Sequence, residues 1–359
     1  MAGDNNRQHN RSDSDNTTSG PVYPATAADP TQPSPPMEFT DPFQPDNPSA
    51  FTDLLEPPLN ETYARLLEER ENADRRGAEF PLPEGTHIEA GVIAGVNCER
   101  VTVGEIPSDK LIMMMHGGGF RSGSILAYRA LAARLSQTAE VHVLLVEYRL
   151  APEHPFPAAL DDGVSVYRGL LAGSTRPQIL FLLGDSAGAN LVAAMLLTLR
   201  AHGDLLPQGA MLLSPWLDLS LSGESLEANR NRDGLTPEML VTAVSDYLDK
   251  DSPSKPTDPL ISPVFADLTG LPPMLIQVGD QEILLDDSLR FAEKAQADGV
   301  EVTLEVWPQM QHCWHGDPAL PEAQEALDAV ASFVRTQLAR NHFDLDQENP
   351  DVERYDGSL

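Results

Sequence analysis

Phe181-Leu182-Leu183-Gly184-Asp185-Ser186-Ala187-Gly188-Ala189-Asn190 is the stretch on which the reading of this chain turns. The apolar run Ile179–Leu183 passes into Gly-x-Ser-x-Gly, and an apolar stretch with helical spacing, Ala189–Ala201, follows at once. A short run that is apolar throughout reads as a strand buried on both faces. Strand, tight turn and helix in that order put the Ser186 hydroxyl on a sharp bend. Glycine two residues to either side leaves room for the strained backbone such a bend needs. The start of the helix adds free N–H donors and positive potential where an oxyanion would develop. Ser186 is therefore the candidate nucleophile. A glycine turn that merely happens to contain serine would lack this flanking order.

The same strand-then-glycine order recurs upstream. Leu111–Met115 is apolar and runs into His116-Gly117-Gly118-Gly119-Phe120. Consecutive glycines let backbone N–H groups approach a ligand oxygen closely, as an oxyanion hole requires. A phosphate-binding loop would end in Gly-Lys-Ser/Thr, which is absent here. Further strand-like runs are Val141–Val146, Ala210–Leu213, Met274–Val278 and Val302–Val306. They alternate with helical patterns at Ala127–Ser136, Ala158–Leu171, Asp287–Ala297 and Pro321–Leu338. This alternation predicts an α/β fold with a mostly parallel, doubly wound sheet. Two pieces break it: residues 50–80 look helical ahead of the first strand, and residues 220–258 insert a helical segment, Pro237–Leu248, between two strands. Both are expected to sit off the sheet as a helical cap over its C-terminal edge.

Residues 1–48 are rich in Asn, Asp, Ser, Thr and Pro and carry few large apolar groups, so disorder is expected there. Residues 341–359 read as a loose acidic tail. The domain then spans 49–340, with the cap drawn from about 49–80 and 220–258. Fifty-five acidic residues against 24 basic ones give a formal net charge of -31. So negative a surface repels phosphate backbones and anionic headgroups, which argues against nucleic acid and membrane as partners. The lysines are only Lys110, Lys250, Lys255 and Lys294. Acidic excess with scarce lysine fits a salt-adapted host, and an ordinary acidic enzyme fits it equally. Two cysteines, Cys98 and Cys313, are too few for a disulfide scaffold or a zinc site. No apolar run suits a signal peptide or a membrane span, so a cytoplasmic location is expected.

If Ser186 is the nucleophile of a hydrolase built on this strand–turn–helix elbow, the chain order is Ser, then Asp or Glu, then His. The base must come from His202, His312, His315 or His342. His202 ends the helix after Ser186, where a cation suits the helix dipole, and His342 lies in the tail. His312 and His315 follow the strand ending Val306-Trp307; read as a metal pair they lack obvious further ligands. The acid must come from Val278-Gly279-Asp280-Gln281-Glu282-Ile283-Leu284-Leu285-Asp286-Asp287. Asp286 and Asp287 read most simply as residues of a helix first turn, which leaves Asp280 and Glu282. Cys313 is expected to be packed rather than a second nucleophile. Trp216 and Phe120 suit either a pocket wall or the core.

Taken together, His116–Gly119, Gly184–Gly188, Tyr148-Arg149-Leu150-Ala151-Pro152-Glu153-His154-Pro155-Phe156-Pro157-Ala158 and Ser214-Pro215-Trp216 resemble the bacterial hormone-sensitive-lipase-like family of α/β-hydrolases over roughly residues 80–340. The resemblance implies an oxyanion hole made by the N–H groups of Gly118, Gly119 and Ala187, with His116 and Gly117 shaping the loop. It places the base at His312. Anchoring on Leu284 and Asp286 puts Glu282 at the acid position, a departure from the commoner Asp, with Asp280 as competitor. It implies a carboxylesterase for short- to medium-chain esters, working through an acyl-enzyme without cofactor or metal, and a homodimer. An amidase or formamidase could use the same groups. A non-catalytic ligand-binding protein, as in the plant gibberellin receptors that resemble this family, would lack the working base; Ser186 and His312 both stand here.

Overall fold

Six apolar runs form the parallel part of the sheet: β3 (Lys110–Met115), β4 (His142–Val146), β5 (Ile179–Asp185), β6 (Gly209–Leu213), β7 (Met274–Gly279) and β8 (Val302–Trp307). Ahead of them come β1 (Thr86–Ile93) and β2 (Val96–Val103). The computed structural model describes residues 61–107, 109–173, 177–249 and 253–348, with no account of the side chains of 61, 62 and 341–348. The expectation of disorder for residues 1–48 therefore lies outside the described residues.

The eight strands lie in the order β1-β2-β4-β3-β5-β6-β7-β8. β1 and β2 pair antiparallel, as do β2 and β4, and every other pair is parallel. The helices are α1 (Glu61–Glu79), α2 (Ile125–Ala139), α3 (Ala158–Ala172), α4 (Ala187–His202), α5 (Ser225–Ala228), α6 (Pro237–Tyr247), α7 (Leu285–Ala297) and α8 (Pro321–Glu348). The sheet is covered on both faces. Met113, Leu144 and Leu182 pack on one side with α3, α4 and α7, while Ile112, Met114 and Phe181 pack on the other with α2 and α8. Alternate residues of one strand serve opposite layers, so the strands are apolar throughout.

The chain passes from β3 to β4 on one side and then returns to β5 on the other side of β3. Loops leaving neighbouring strands in opposite directions open a crevice at the C-terminal ends of β3 and β5, the usual ligand position in an open α/β sheet. The loops after both strands are the two glycine motifs.

Three elements depart from the sequence reading. The β1–β2 hairpin was not anticipated, because Thr86–Ile93 and Val96–Val103 are half polar and mostly exposed on β1. Its two-residue turn, Ala94-Gly95, has φ of 51° and 85°, which is the turn type that fits strand twist, but with alanine where Asn or Asp would have signalled it. β8 is an edge strand rather than one buried on both faces; Val306 is 44% exposed. The tail expected to leave the domain at 341 instead continues α8 through Glu348. No glycine or proline interrupts the sequence before Pro350, so nothing forces the helix to stop. Residues 349–359 lie outside the described residues, as do 49–60 of the anticipated cap, whose described part begins with α1.

Candidate active site

Ser186 sits between the last residue of β5 and the first of α4, with φ 53° and ψ -120°. A non-glycine residue in this region carries strain of about 1–3 kcal/mol and is held there only by its surroundings. Those surroundings are specific. The Ser186 N–H donates to Leu213 O at 2.9 Å, and its carbonyl accepts from Trp216 N at 3.2 Å. A Cβ on Gly188 would lie 2.0 Å from Met115 O, so the turn passes directly against the strand that leads into the other glycine loop. Gly188 is required by this approach of two backbones.

In that loop Gly118 has φ 115°, and a Cβ there would meet Ser122 O at 2.2 Å. Gly118 and Gly119 line the same cavity as Ser186, a space of about 490 Å³ that also meets His312 and Trp216. Ala187 is the first residue of α4, so its N–H has no partner within the helix. His116 is buried and stacked on Tyr148, centroids 4.2 Å apart, with Nδ1 2.8 Å from Gly117 O. Burial pushes its imidazole down to about 4, so it is neutral and shapes the loop from behind.

The two glycine motifs are joined by Tyr128 on α2. Its hydroxyl accepts from Gly117 N at 3.1 Å and donates to Asp185 Oδ2 at 2.7 Å. Burial raises Asp185 above the usual carboxylate range, against the hydrogen bond from Tyr128 and the charge of His312. Cys313 Sγ also reaches Asp185, at 3.5 Å, and burial holds that thiol well above its ordinary value. A protonated thiol is a poor nucleophile. Cys313 is half-buried and also lines the cavity that holds Ser186.

His312 Nε2 lies 2.8 Å from Ser186 Oγ, and His312 Nδ1 lies 2.8 Å from Glu282 Oε2. Glu282 is fully buried; its other oxygen accepts from Ser214 Oγ at 2.7 Å and Gly279 N at 2.6 Å. A carboxylate that only accepts sets the ring proton on Nδ1 and leaves Nε2 free to accept from the serine. Burial works against the charged imidazole. The hydrogen bond and charge of Glu282, with Asp233 and Asp185 adding, leave His312 net above its usual value.

The competing residues stand elsewhere. Asp280 Oδ1 accepts from Gln309 N at 2.7 Å, closing the turn before His312 rather than meeting its imidazole. His315 is buried with its ring 3.7 Å from that of Trp314, and burial, with His312 and Arg134 nearby, pushes it down to about 3. His202 Nδ1 is 2.8 Å from Thr198 O on its own helix. The His342 side chain lies outside the described residues. Asp286 and Asp287 stand in the first turn of α7 as expected, but their carboxylates serve another segment: Asp287 Oδ2 accepts from Leu217 N and Asp218 N, both at 2.8 Å, and Asp286 Oδ2 from Ser225 N at 2.9 Å.

Trp216 is buried and forms part of the cavity wall, whereas Phe120 is core, stacked on Tyr247 at 3.9 Å. Much of the remaining wall comes from the segments set aside as a cap: Arg65 and Glu69 on α1, and Met239, Leu240 and Ala243 on α6. Both helices are tied to the loop that carries Gly117–Gly119. Arg70 Nε donates to Arg121 O at 2.7 Å, and the Arg121 guanidinium pairs with Asp246 at 2.9 Å. Sequence reasoning missed Tyr128, Ser214 and Asp233. Of these only Ser214 had a signal, as part of Ser214-Pro215-Trp216. Among the described residues, no group of three or more His, Cys, Asp or Glu could hold a metal ion, and no helix is long and apolar enough to cross a membrane.

Known proteins share this architecture. The family described as the alpha/beta hydrolase fold matches residues 112–316. An esterase of Acinetobacter venetianus is 41% identical over 262 residues, 71% of this chain and 84% of the relative. An acetyl-hydrolase of Streptomyces hygroscopicus is 41% identical over 229 residues, 63% of this chain and 76% of the relative. Among solved structures, an esterase from the bacterial hormone-sensitive lipase family superposes with a TM-score of 0.73 at 37% identity, covering 79% of this chain and 93% of that one. EstE5, in a crystal soaked with p-nitrophenyl butyrate, does so with a TM-score of 0.73 at 39% identity, covering 79% and 94%.

Proposed function

This chain belongs to the hormone-sensitive-lipase-like family of α/β-hydrolases and is a carboxylic-ester hydrolase, and from that premise we propose that it cleaves short- to medium-chain acyl esters through Ser186, His312 and Glu282. The observation that carries the assignment is the continuous chain Ser186 Oγ–His312 Nε2–His312 Nδ1–Glu282 Oε2, with both contacts at 2.8 Å. His312 takes the hydroxyl proton as Ser186 Oγ bonds to the ester carbonyl carbon. The negative charge that forms on the carbonyl oxygen is met by the N–H groups of Gly118, Gly119 and Ala187. His312 then gives its proton to the departing alkoxide, which leaves the acyl group on Ser186. A water, deprotonated by the same imidazole, releases the acid. Glu282 keeps Nδ1 protonated throughout and stabilises the transient imidazolium.

The acyl-chain range rests on the cavity. About 490 Å³ walled by Trp216, Met239, Leu240 and Ala243 suits a small apolar acyl group, and p-nitrophenyl butyrate was the compound introduced to EstE5. The test is kcat/KM across p-nitrophenyl esters of increasing chain length, run beside Ser186→Ala. Activity should be greatest on the short esters and decline steeply with longer chains. Ser186→Ala should lose several orders of magnitude in kcat and all labelling by an organophosphonate. A variant retaining a tenth of the parent rate would remove Ser186 from this role.

A further inference from the structure

Asp233 lies in the loop between α5 and α6, outside the sheet, and it does not line the substrate cavity. Its two carboxylate oxygens serve two different loops. Oδ1 accepts from His312 N at 2.9 Å and from Gly234 N at 2.8 Å, and Oδ2 accepts from Ile283 N at 2.9 Å. Ile283 is the residue after Glu282. Four residues earlier, Asn229 Nδ2 donates to the carbonyls of Asp280 at 3.1 Å and Glu282 at 2.8 Å. Gln311 Nε2, beside the base, donates to Arg232 O at 2.8 Å. The acid follows β7 and the base follows β8, yet both are gripped at the backbone by one short segment, 229–233.

We propose that Asp233 is a positioning residue that holds the loops carrying Glu282 and His312 in register, so that the imidazole works as a base only while segment 229–233 is seated between them. The proposal rests on the Ser186–His312–Glu282 reading and extends it. The hydrogen bonds are directional, and a carboxylate that receives N–H groups from two loops fixes their separation as well as their presence. Nucleophile and base must stay within hydrogen-bond reach, about 2.6–3.2 Å, for proton transfer. A small slip of either loop takes Nε2 out of that range. Asp233 also acts through charge. The groups that face His312 are Glu282, Asp233 and Asp185, with the neutral His315 and the protonated Cys313 nearby, and Asp233 is one of those that raise the imidazole.

The experiment compares Asp233→Asn, Asp233→Glu and Asn229→Ala in the full chain, with active sites counted by phosphonate titration. Asp233→Asn removes the charge and turns an N–H₂ towards one of the N–H donors. Its kcat per titrated site should fall roughly ten- to a hundredfold, with KM nearly unchanged because the residue is outside the cavity. The acid limb of its kcat/KM profile should move to lower pH, since the lost negative charge had favoured the imidazolium. Asp233→Glu keeps the charge, so it should hold the limb in place and recover part of the rate. Asn229→Ala loosens the same segment without changing charge, so it should lower kcat severalfold at an unmoved limb. A residue that only supports the fold would lower the melting temperature and the number of titratable sites, leaving kcat per site and the acid limb as in the parent. That result for Asp233→Asn would overturn the proposal, and should that variant not fold, the same result for Asn229→Ala would do so. His312→Ala separates the two readings. If it kept a tenth of the activity the triad itself would fall, whereas an inactive His312→Ala beside a normal Asp233→Asn would remove only the positioning role.

Discussion

Around Ser186 the turn is written in five consecutive residues, is held by backbone bonds to Leu213 and Trp216, and packs against one adjoining loop, and the closest constraint is steric: backbone lies so close to Gly188 that no side chain fits. Around His312 there is no such local code. The imidazole, its carboxylate and their supports come from four separate places: the loops after β7 and β8, Ser214 after β6, and the segment 229–233. Glycine spacing builds the proposed nucleophile half, and hydrogen bonds between residues distant in sequence build the proposed acid–base half. A steric constraint fails all at once when one atom is added. A hydrogen-bonded assembly fails by degrees, according to how much charge and geometry each bond carries.

The sharpest way to break the contrast is to add a single methyl group. In Gly188→Ala the new Cβ would stand 2.0 Å from Met115 O and 2.5 Å from His116 O, both backbone atoms. The turn and the oxyanion loop must move apart together. The expected cost is about 3 kcal/mol, roughly 5–10 °C in Tm for a domain of this size. Activity should drop at least a thousandfold, because Ser186 and Ala187 would shift against Gly118 and Gly119, the groups of the proposed mechanism. Near-parental activity in Gly188→Ala would show that the glycine is a convenience rather than a requirement.

Glu282→Gln probes the other half at its strongest bond. The amide keeps the size but no longer fixes the imidazole tautomer or stabilises its charged form, and the equivalent change in a Ser-His-Asp protease costs about 10⁴-fold. Here kcat should fall at least a hundredfold with the circular dichroism unchanged. The pH profile should respond as well. With neutral His312 as the proposed base, activity should fall as pH drops through its pKa, which Glu282 raises. Loss of that charge should carry the acid limb to lower pH. An unmoved limb would mean that Glu282 acts by orientation alone.

The same contrast explains what could be read in advance. Ser186 and Gly117–Gly119 were legible because strand, glycine and helix are contiguous, and the buried strands β3–β7 were legible because each is apolar on both faces. His312 and Glu282 were reached only through spacing shared with a family, since nothing near them distinguishes Glu282 from Asp280. Asp233 and Tyr128 left no trace. Their most distant partners are 79 and 57 residues away, and an Asp in a polar loop or a Tyr on a helix has many uses. The hairpin β1–β2 escaped because an edge with exposed residues has no apolar run to betray it.

Tyr128 is where the two modes meet, so Tyr128→Phe tests how far the steric half depends on a hydrogen bond. The change keeps the ring and strips the bridge between Gly117 N and Asp185 Oδ2. A buried N–H and a buried carboxylate oxygen would each lose a partner, at about 1–3 kcal/mol for a group left unsatisfied, and Asp185 Oδ2 keeps Cys313 Sγ. Asp185 is buried enough to answer by taking up a proton, which limits the damage. The expected result is a few degrees in Tm and about a tenfold loss in kcat, measured on one short-chain ester. A loss as large as that of Gly188→Ala would mean that the glycine loop is held by the tyrosine and not by packing.

The smallest effect should come from Asp280→Asn, and its size decides whether proximity in sequence carries any weight in the acid–base half. Asp280 is only two residues from Glu282, and it leaves the same strand. Its backbone N–H donates to Trp307 O at 2.9 Å, and its Oδ1 accepts from Gln309 N at 2.7 Å, so it braces the turn that leads to His312. Gln309 has φ 62°, a conformation that gains from such a brace. An asparagine oxygen can accept the same N–H, and Asn suits turns as readily as Asp, so the brace survives the substitution. Only the charge is lost, at a position partly open to solvent, where screening weakens its pull on the imidazole. Asp280→Asn should therefore lose less than tenfold in kcat and leave the acid limb where it was, while Glu282→Gln on the same ester loses at least a hundredfold. The reverse ranking would transfer the acid role to Asp280 and require the loop after β7 to rearrange when substrate binds.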